Sequence, residues 1–306
     1  MRIFLTGATG YIGSAVLDAL VRAGHEIVAL VRDPERGQAL AARGVEVVIG
    51  TLGTPARYAA AAEACDVIIH TAFDGSKDGV DVDRQATDEL LALASRRAGR
   101  GEPACFIYTS GVWVLGNTAA PAAEDAPVAP IPLVAWRPAH EDLVLAAGGG
   151  GLRTAVVRPG VVYGGARGII ADLLRDAANG LVRIIGDGQN RWAGVYDRDL
   201  ADLYVRVAGS DEGTGVFHAT DEADEQVAGI VEAIAEHTRT RPDVRYMPLE
   251  EARSKLGPFA DALALDQVVR SPRARALGWS PTLRSIGGNV ARLFEEYRAG
   301  KRVTAA

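Results

Sequence analysis

The stretch that decides the fold is Thr6-Gly7-Ala8-Thr9-Gly10-Tyr11-Ile12-Gly13. It follows a short apolar run at residues 2–5 and precedes a helical pattern at residues 14–23. Three glycines at a strand-to-helix junction permit a tight turn, let the backbone approach a ligand and let the helix pack closely on its strand. The unpaired amides at the start of the helix favour an anion. The position of these glycines therefore predicts a dinucleotide-binding turn.

Short apolar runs alternate with helical patterns along the first half of the chain. Their apolar character is continuous rather than alternating, which is typical of strands buried on both faces of a parallel sheet. This alternation predicts a doubly wound α/β sheet, the Rossmann fold. Beyond the first run, the predicted strands are residues 25–31, 45–49, 66–71, 105–109, 154–157 and 215–219.

The pattern becomes less regular after residue 164. We therefore predict a dinucleotide-binding domain at residues 1–164, with a further strand near 215–220. Residues 165–306 are expected to form mostly a smaller α/β lobe that holds the substrate.

Composition excludes several classes of protein. The 306 residues carry a formal net charge of −6, so there is no basic field to attract nucleic acid or an anionic membrane. No apolar run approaches the roughly 20 residues of a membrane helix, and no signal peptide is apparent. Cys65 and Cys105 adjoin apolar runs and are interpreted as buried, reduced thiols of a cytoplasmic protein. The five histidines lack ligand spacing, so no metal is predicted.

Several motifs occur in an order that resembles the extended short-chain dehydrogenase/reductase superfamily, which contains nucleotide-sugar epimerases and dehydratases. The glycine turn is similar to its Thr-Gly-x-x-Gly-x-x-Gly pattern, and Leu277-Gly278-Trp279-Ser280-Pro281 is similar to its C-terminal motif. The remaining matches are residues 66–72, 107–111, 158–164, 186–188 and 195–201.

The resemblance implies a nicotinamide cofactor bound along the ends of the predicted strands. The residues implied to bind it, besides those that select between cofactors, are Gly7, Thr9, Gly10, Tyr11, Ile12, Gly13, Thr51, Leu52, Thr71, Ala72, Phe73, Thr109, Arg137, Pro159, Gly160, Val161 and Val162.

The end of the second strand usually selects between NAD and NADP. An acidic side chain there accepts hydrogen bonds from ribose hydroxyls, whereas arginine pairs with a 2′-phosphate. Arg32 stands at this place and Arg36 is close enough to join it, which favours NADP. The alternative is that both arginines are solvated and Asp33 binds the ribose of NAD.

The catalytic pair implied by the resemblance, a tyrosine four residues before a lysine, is missing from the region that corresponds to it. Tyr297 and Lys301 have this spacing, but they lie near the C-terminus and are interpreted as a coincidence on a solvated helix end. The surrounding proline and glutamate place Leu133 and Arg137 in those positions, and a shifted register offers Trp136 and His140. Arginine can donate hydrogen bonds to a ribose but cannot act as a base, because it stays protonated.

Three residues are therefore the candidate catalytic groups. Ser110 is the hydroxyl that would bind the substrate oxygen, Arg137 would hold the nicotinamide ribose, and Tyr163 is the best remaining phenol for proton transfer. Lys77 is a weaker candidate, since a solvated loop lysine is the better explanation for it.

We predict an NAD(P)-dependent oxidoreductase of an atypical extended type that transfers hydride to or from a small or medium organic substrate. The alternatives are a non-catalytic NADP-binding redox sensor and a nucleotide-sugar epimerase or dehydratase. The expected assembly is a monomer or a homodimer.

Overall fold

The structure is a computed structural model that describes residues 1–238 and 241–305. The strands are β1 (Arg2–Thr6), β2 (Glu26–Val31), β3 (Glu46–Ile49), β4 (Val67–His70), β5 (Ala104–Thr109), β6 (Leu152–Pro159), β7 (Val161–Tyr163), β8 (Leu181–Ile185), β9 (Arg191–Trp192), β10 (Gly194–Tyr196), β11 (Gly215–Ala219), β12 (Glu225–Gln226) and β13 (Asp243–Met247).

The helices alternate with the strands through the first half and dominate the second. They are α1 (Tyr11–Arg22), α2 (Pro34–Ala41), α3 (Pro55–Glu63), α4 (Gly79–Gly99), α5 (Arg137–Ala146), α6 (Gly168–Ala178), α7 (Asp197–Gly209), α8 (Val227–His237), α9 (Leu249–Leu256), α10 (Phe259–Leu263), α11 (Pro272–Ala276) and α12 (Val290–Ala305). Short 3-10 helices lie at Val112–Leu115, Pro132–Val134 and Gly287–Asn289.

Within the described residues, seven strands form one sheet in the order β11-β6-β5-β4-β1-β2-β3. The pairings from β3 through β6 are all parallel. On either side of β1 the strand order runs in opposite directions, which is the doubly wound arrangement. The predicted α/β fold is therefore confirmed, and every predicted strand has a counterpart.

The five strands inside this sheet are buried on both faces, as their continuous apolar sequence predicts, whereas the edge strand β3 is partly exposed. Phe4, Val28, Ile68 and Phe106 point to the same face and pack with residues of α3, α4 and α5. Their neighbours along each strand, such as Ile3 and Ile69, are equally inaccessible to solvent. Burial on both faces excludes the alternating polar pattern of a half-exposed sheet.

The chain divides into two compact units that interleave along the sequence. The first comprises Met1–Ser110, Trp136–Arg158 and Ala201–Phe217, and it contains most of the sheet. The second comprises Gly111–Ala135, Pro159–Leu200 and the chain from His218. The predicted boundary at residue 164 places 111–135 with the dinucleotide-binding domain, whereas the structure groups this segment with the second unit. The assignment of substrate binding to the C-terminal lobe stays a prediction.

The second unit has its own core, built on short strand pairs. β7 pairs with β10 and β8 with β13, both parallel, and β9 pairs antiparallel with β12. Side chains of α6, α8 and α12 pack together with Trp192 and Tyr196. The indole of Trp279 donates to the Asp199 carbonyl at 2.7 Å. This hydrogen bond links the motif at residues 277–281 to the first turn of α7.

Candidate functional site

The glycine turn between β1 and α1 has no room for larger residues. Gly7 has a φ of +76°, and a Cβ placed there would lie 2.7 Å from the Ala72 nitrogen. A Cβ on Gly13 would lie 2.0 Å from the Gly7 carbonyl oxygen. Gly10 precedes α1 and offers no side chain to cap the first amides. The glycine turn therefore fits a pyrophosphate, because no side chain from the N-cap residue lies over the first backbone amides of α1.

The end of β4 packs directly against this turn. Thr71 donates its hydroxyl to the Thr6 carbonyl at 2.7 Å, and the Ala72 amide lies 3.2 Å from the Thr6 hydroxyl. These bonds hold residues 71–72 beside the glycines. Phe73 follows with 44% of its surface exposed. The three residues predicted to bind cofactor from this strand are thus adjacent to the turn, while their contact with a cofactor stays a prediction.

The charged side chains at the end of β2 differ in the hydrogen bonds and ion pairs that they form. Asp33 caps α2 by accepting the Glu35 amide at 2.9 Å, and its other oxygen lies 3.7 Å from Arg36. Arg32 is exposed and forms no ion pair within the part of the chain that the structure describes. One oxygen of Asp33 is thus committed to the helix cap, whereas the Arg32 guanidinium is in no ion pair among the described residues and is open to a ligand.

A second cation near this edge was missed by sequence analysis. Arg57 on α3 packs its Cβ near Gly50, and the Gly50 amide donates to the Val31 carbonyl beside Arg32. Thr51, which the resemblance implies to bind the cofactor, donates its amide to the Thr54 hydroxyl at 2.9 Å, and its own hydroxyl lies 3.4 Å from the same oxygen. Leu52 is half-buried. Nothing in the sequence pointed to Arg57, since it lies eight residues after the end of β3 on a separate helix.

The end of β5 carries the central group of the candidate site. The Ser110 amide donates to the Val157 carbonyl at 2.8 Å, which fixes its backbone to β6. Its hydroxyl oxygen is buried and has no hydrogen-bond partner among the described residues. Arg137 donates to the Thr109 carbonyl at 3.0 Å, and the Thr109 hydroxyl lies 2.6 Å from that of Tyr204. Thr109 therefore engages the protein through its side chain.

Arg137 also lies against two aromatic rings. Its guanidinium carbon is 4.4 Å from the Trp136 ring centre and 5.6 Å from that of Phe73. The two rings stack with their centres 5.2 Å apart. Such cation–π contacts restrict the guanidinium to one orientation. Arg137 is thus a positioned hydrogen-bond donor. It differs from lysine because its guanidinium stays protonated and cannot give up its charge.

A buried polar network underlies this region. Sequence analysis missed it, since it noted only that the histidines lack the spacing of metal ligands. Asp83 accepts a hydrogen bond from the Tyr108 hydroxyl at 2.7 Å and lies 2.8 Å from His140 Nδ1. His70 Nε2 lies 3.3 Å from the same carboxylate, and its Nδ1 is 2.7 Å from the Thr6 hydroxyl. The network therefore runs from the glycine turn to α5.

The charge of Asp83 is set by these donors. Burial by itself raises the pKa of Asp83, but the hydrogen bonds from His140, His70 and Tyr108 together hold it well below its usual range. Burial and the neighbouring Asp83 charge raise the pKa of Tyr108. Asp83 is thus a buried carboxylate with two hydrogen bonds to Oδ2, from Tyr108 and at His140, and with His70 Nε2 3.3 Å from Oδ1.

In the second unit, the segment predicted to face the nicotinamide is tightly packed. The Gly160 amide donates to the Ala219 carbonyl at 3.0 Å, and a Cβ on Gly160 would lie 2.0 Å from the Ala193 carbonyl oxygen. Val161 donates to that same Ala193 carbonyl at 2.7 Å. Pro159 is buried and Val162 is half-buried. Their contact with a cofactor stays a prediction.

Tyr163 is poorly suited to the proton transfer predicted for it. Its ring is completely buried, and its hydroxyl lies 2.9 Å from both Asp221 Oδ2 and the Leu283 carbonyl. Burial, together with the Asp221 charge, raises its pKa far above that of a solvated phenol. The phenolic proton is thus held inside the second unit, where the Tyr163 hydroxyl links β7 to Asp221 and Leu283 by hydrogen bonds.

The remaining residues singled out in the sequence lie in ordinary core or surface positions. Leu133 lies in the 3-10 helix Pro132–Val134 and packs beside Val112 and Val114 of the second unit. Lys77 is exposed in the loop after β4. Cys65 and Cys105 are buried and unbridged, as predicted. No cluster of three or more metal-ligating side chains occurs in residues 1–238 and 241–305.

Comparison with known proteins identifies the family. The profile of the NAD dependent epimerase/dehydratase family matches residues 3–218. An uncharacterised protein of Schizosaccharomyces pombe is 32% identical over 303 residues, which cover 95% of this chain and 98% of the relative. A 4-hydroxy-2-methyl-3-oxo-4-farnesyl-3,4-dihydroquinoline-1-oxide ketoreductase of Stigmatella aurantiaca is 27% identical over 261 residues, covering 83% of this chain and 78% of its own.

A human epimerase family protein solved with NADPH has the same fold, with a TM-score of 0.76 at 20% identity, and the match covers 96% of this chain and 99% of that one. The chain therefore belongs to the NAD dependent epimerase/dehydratase family, as the resemblance to the extended short-chain dehydrogenase/reductases implied. Among the residues described, no helix has both the length and the apolar character needed to cross a membrane.

Proposed function

We propose that this chain is a nicotinamide-dependent oxidoreductase that reduces a carbonyl group, or oxidises the corresponding alcohol, of an organic substrate, with NADP as its preferred cofactor. Family membership and the ketoreductase relative support the reaction class. The observation that carries the proposal is the buried Ser110 hydroxyl, which has no hydrogen-bond partner among the described residues.

A buried hydroxyl without a partner costs free energy, so its presence at the end of β5 calls for a ligand. Ser110 is held rigidly by its amide bond to Val157, and a carbonyl oxygen within reach of its hydroxyl would accept a hydrogen bond. A donor fixed in advance stabilises the negative charge that develops on this oxygen as the carbon receives hydride.

Arg137 would bind the nicotinamide ribose with the guanidinium donors that the Thr109 carbonyl leaves available. The cofactor, when bound, supplies or accepts the hydride. Because Arg137 stays protonated and Tyr163 holds its proton inside the second unit, the proton for the substrate oxygen would come from water. We therefore assign Tyr163 a structural role and leave the catalytic tyrosine without a direct replacement.

The first test is the Ser110→Ala variant, assayed by the loss of NADPH absorbance with a panel of ketones and 3-oxo acids. We expect kcat to fall about 100-fold, as on removal of one oxyanion donor, while NADPH affinity is unchanged. Ser254→Ala is the matched control, since that hydroxyl is exposed and binds its own helix. Full activity of Ser110→Ala would refute the assignment. Cofactor binding without turnover of any carbonyl would favour a redox sensor instead.

The choice of NADP rests on the contrast between Arg32, which is available, and Asp33, which caps α2. Arg32→Glu should weaken NADPH binding at least 10-fold and leave NADH binding within about twofold, because a phosphate contact worth about 1.4 kcal/mol is lost. Isothermal titration with both cofactors measures the difference. Arg43→Glu, on an exposed arginine that pairs with Asp18, controls for a general change of charge. Equal losses for the two cofactors would overturn the preference.

A further inference from the structure

The second unit, which includes most of the lobe predicted to hold the substrate, contains a cavity whose ligand neither the family assignment nor the proposed reaction identifies. Its volume is about 390 Å³, within the range of roughly 300–1,000 Å³ typical of small-molecule sites. One wall is α6 and another is formed by β8, α9 and α10. The walls are mainly apolar, with contributions from Ile169, Leu173, Ile185, Trp192, Leu256 and Phe259.

The apolar surface of this cavity is partly open to water. Leu256 and Phe259 are 44% and 38% exposed, which is unusual for large apolar side chains of the second unit. The indole nitrogen of Trp192 already donates to the Leu263 carbonyl at 3.1 Å, so that ring offers the cavity only its apolar surface. A ligand that covers these side chains would gain hydrophobic stabilisation of about 25 cal/mol for each Å² removed from water.

The charged residues of the cavity are paired with one exception. Lys255 binds Glu251 at 2.6 Å, and Asp172 and Asp176 both bind Arg175, at 2.6 and 3.1 Å. Arg183 is exposed, lines the cavity and has no ion-pair partner in the described part of the chain. The adjacent residue in register on β13, Arg245, lies 2.7 Å from Asp243 and does not line the cavity.

We propose that this cavity binds an amphipathic carboxylic acid, with its alkyl or isoprenoid chain against the apolar walls and its carboxylate on Arg183. The planar guanidinium presents paired donors that match a carboxylate. The apolar walls leave few donors for a sugar or a nucleobase, which would lose hydrogen bonds to water on entry. This inference concerns binding in the second unit and does not depend on the proposed reaction.

The test is isothermal titration of the full-length protein, without cofactor, with octanoate and with octan-1-ol. Both should bind with a stoichiometry of one, because both have the apolar chain. Arg183→Gln should weaken octanoate about 10-fold, as expected when a charge-assisted hydrogen bond of about 1.4 kcal/mol is lost, and leave octan-1-ol unchanged. Arg245→Gln is the matched control and should leave both affinities within about twofold.

Two further variants locate the site. Ile169→Trp should fill the cavity and abolish binding of both ligands, with circular dichroism to verify folding. Leu256→Ala, at an exposed position that folding tolerates, should weaken both ligands to the same extent. The proposal is overturned if octanoate does not bind the native protein, if Ile169→Trp folds and still binds it, or if Arg183→Gln and Arg245→Gln weaken octanoate equally.

Discussion

Each unit of the molecule buries one tyrosine against one aspartate, and the two pairs differ in charge. Tyr108 binds Asp83 at 2.7 Å in the first unit, and Tyr163 binds Asp221 at 2.9 Å in the second. All four side chains are at most 3% exposed. The two aspartates thus have the same tyrosine partner and nearly the same burial. Their other neighbours account for the difference in charge.

Asp83 has two imidazoles beside it, whereas no histidine of the described residues forms a hydrogen bond or ion pair with Asp221. The donors around Asp83 outweigh its burial and lower its pKa. Burial dominates at Asp221 and raises its pKa to about 7, and the nearby Glu225 and Asp224 act in the same direction. No lysine or arginine of the described residues forms an ion pair with Asp221. The number of donors aimed at a buried carboxylate, rather than its burial alone, therefore decides whether it is charged.

The hydrogen-bond geometry at Asp221 agrees with a neutral carboxyl. The Tyr163 hydroxyl lies 2.9 Å from two acceptors but has one proton to donate. If Asp221 is protonated, it can donate to Tyr163 while Tyr163 donates to the Leu283 carbonyl. If Asp221 is ionised, Tyr163 must donate to it, and the carbonyl is left without this donor.

The largest expected effect is an opposite dependence of the two aspartates on pH. Folded Asp221 retains a proton between its unfolded pKa near 4 and its folded pKa of about 7, so the free energy of unfolding should fall as pH rises across that interval. The loss is on the order of 4 kcal/mol. Asp83 stabilises the fold above pH 4, and this contribution is lost as pH falls below 4.

Urea unfolding from pH 3 to pH 8 measures both effects. Asp221→Asn should remove most of the decline between pH 4 and 7, and the remaining decline should come from Asp197, whose pKa burial raises to about 6. A native protein whose stability rises across this interval would show that Asp221 is ionised, and the contrast with Asp83 would be lost.

The next effect is the loss of Asp83 itself. Asp83→Ala leaves His70, His140 and Tyr108 without their common acceptor and should lower the free energy of unfolding by about 3 kcal/mol. Asp88→Ala is the control on the same helix, since Asp88 is exposed and pairs only with Arg84; it should cost under about 0.5 kcal/mol. Equal losses in the two variants would mean that the network adds nothing to the stability of the first unit.

The smallest effects separate the two tyrosines. Tyr108→Phe leaves Asp83 its two imidazoles and should cost about 1 kcal/mol, whereas Tyr163→Phe leaves both the Asp221 carboxyl and the Leu283 carbonyl without this hydrogen-bond partner and should cost about 2 kcal/mol. Both are measured by chemical unfolding at pH 7. Because Tyr163 is assigned a structural role, Tyr163→Phe should retain turnover once it is folded. A folded but inactive Tyr163→Phe would restore Tyr163 as a catalytic candidate.

The amino-acid sequence determined the fold class and the position of the glycine turn. The parallel sheet follows from apolar runs and connecting helices, and the glycine turn follows from spacing, because both are written in residues that are neighbours in the chain. The loss of the tyrosine–lysine pair was equally visible, since Leu133 and Arg137 stand at fixed distances from a proline and a glutamate.

Only the tertiary structure decided which polar side chains share a partner. His70, Asp83, Tyr108 and His140 come from four separate elements, and none has a spacing that predicts the others. The same holds for Tyr163 and Asp221, which are 58 residues apart, and for Arg183, whose lack of an ion-pair partner depends on how helices and strands pack around it. Charge and hydrogen bonding in a buried site depend on distances of a few ångströms between segments distant in sequence, and those distances are fixed only when the chain has folded.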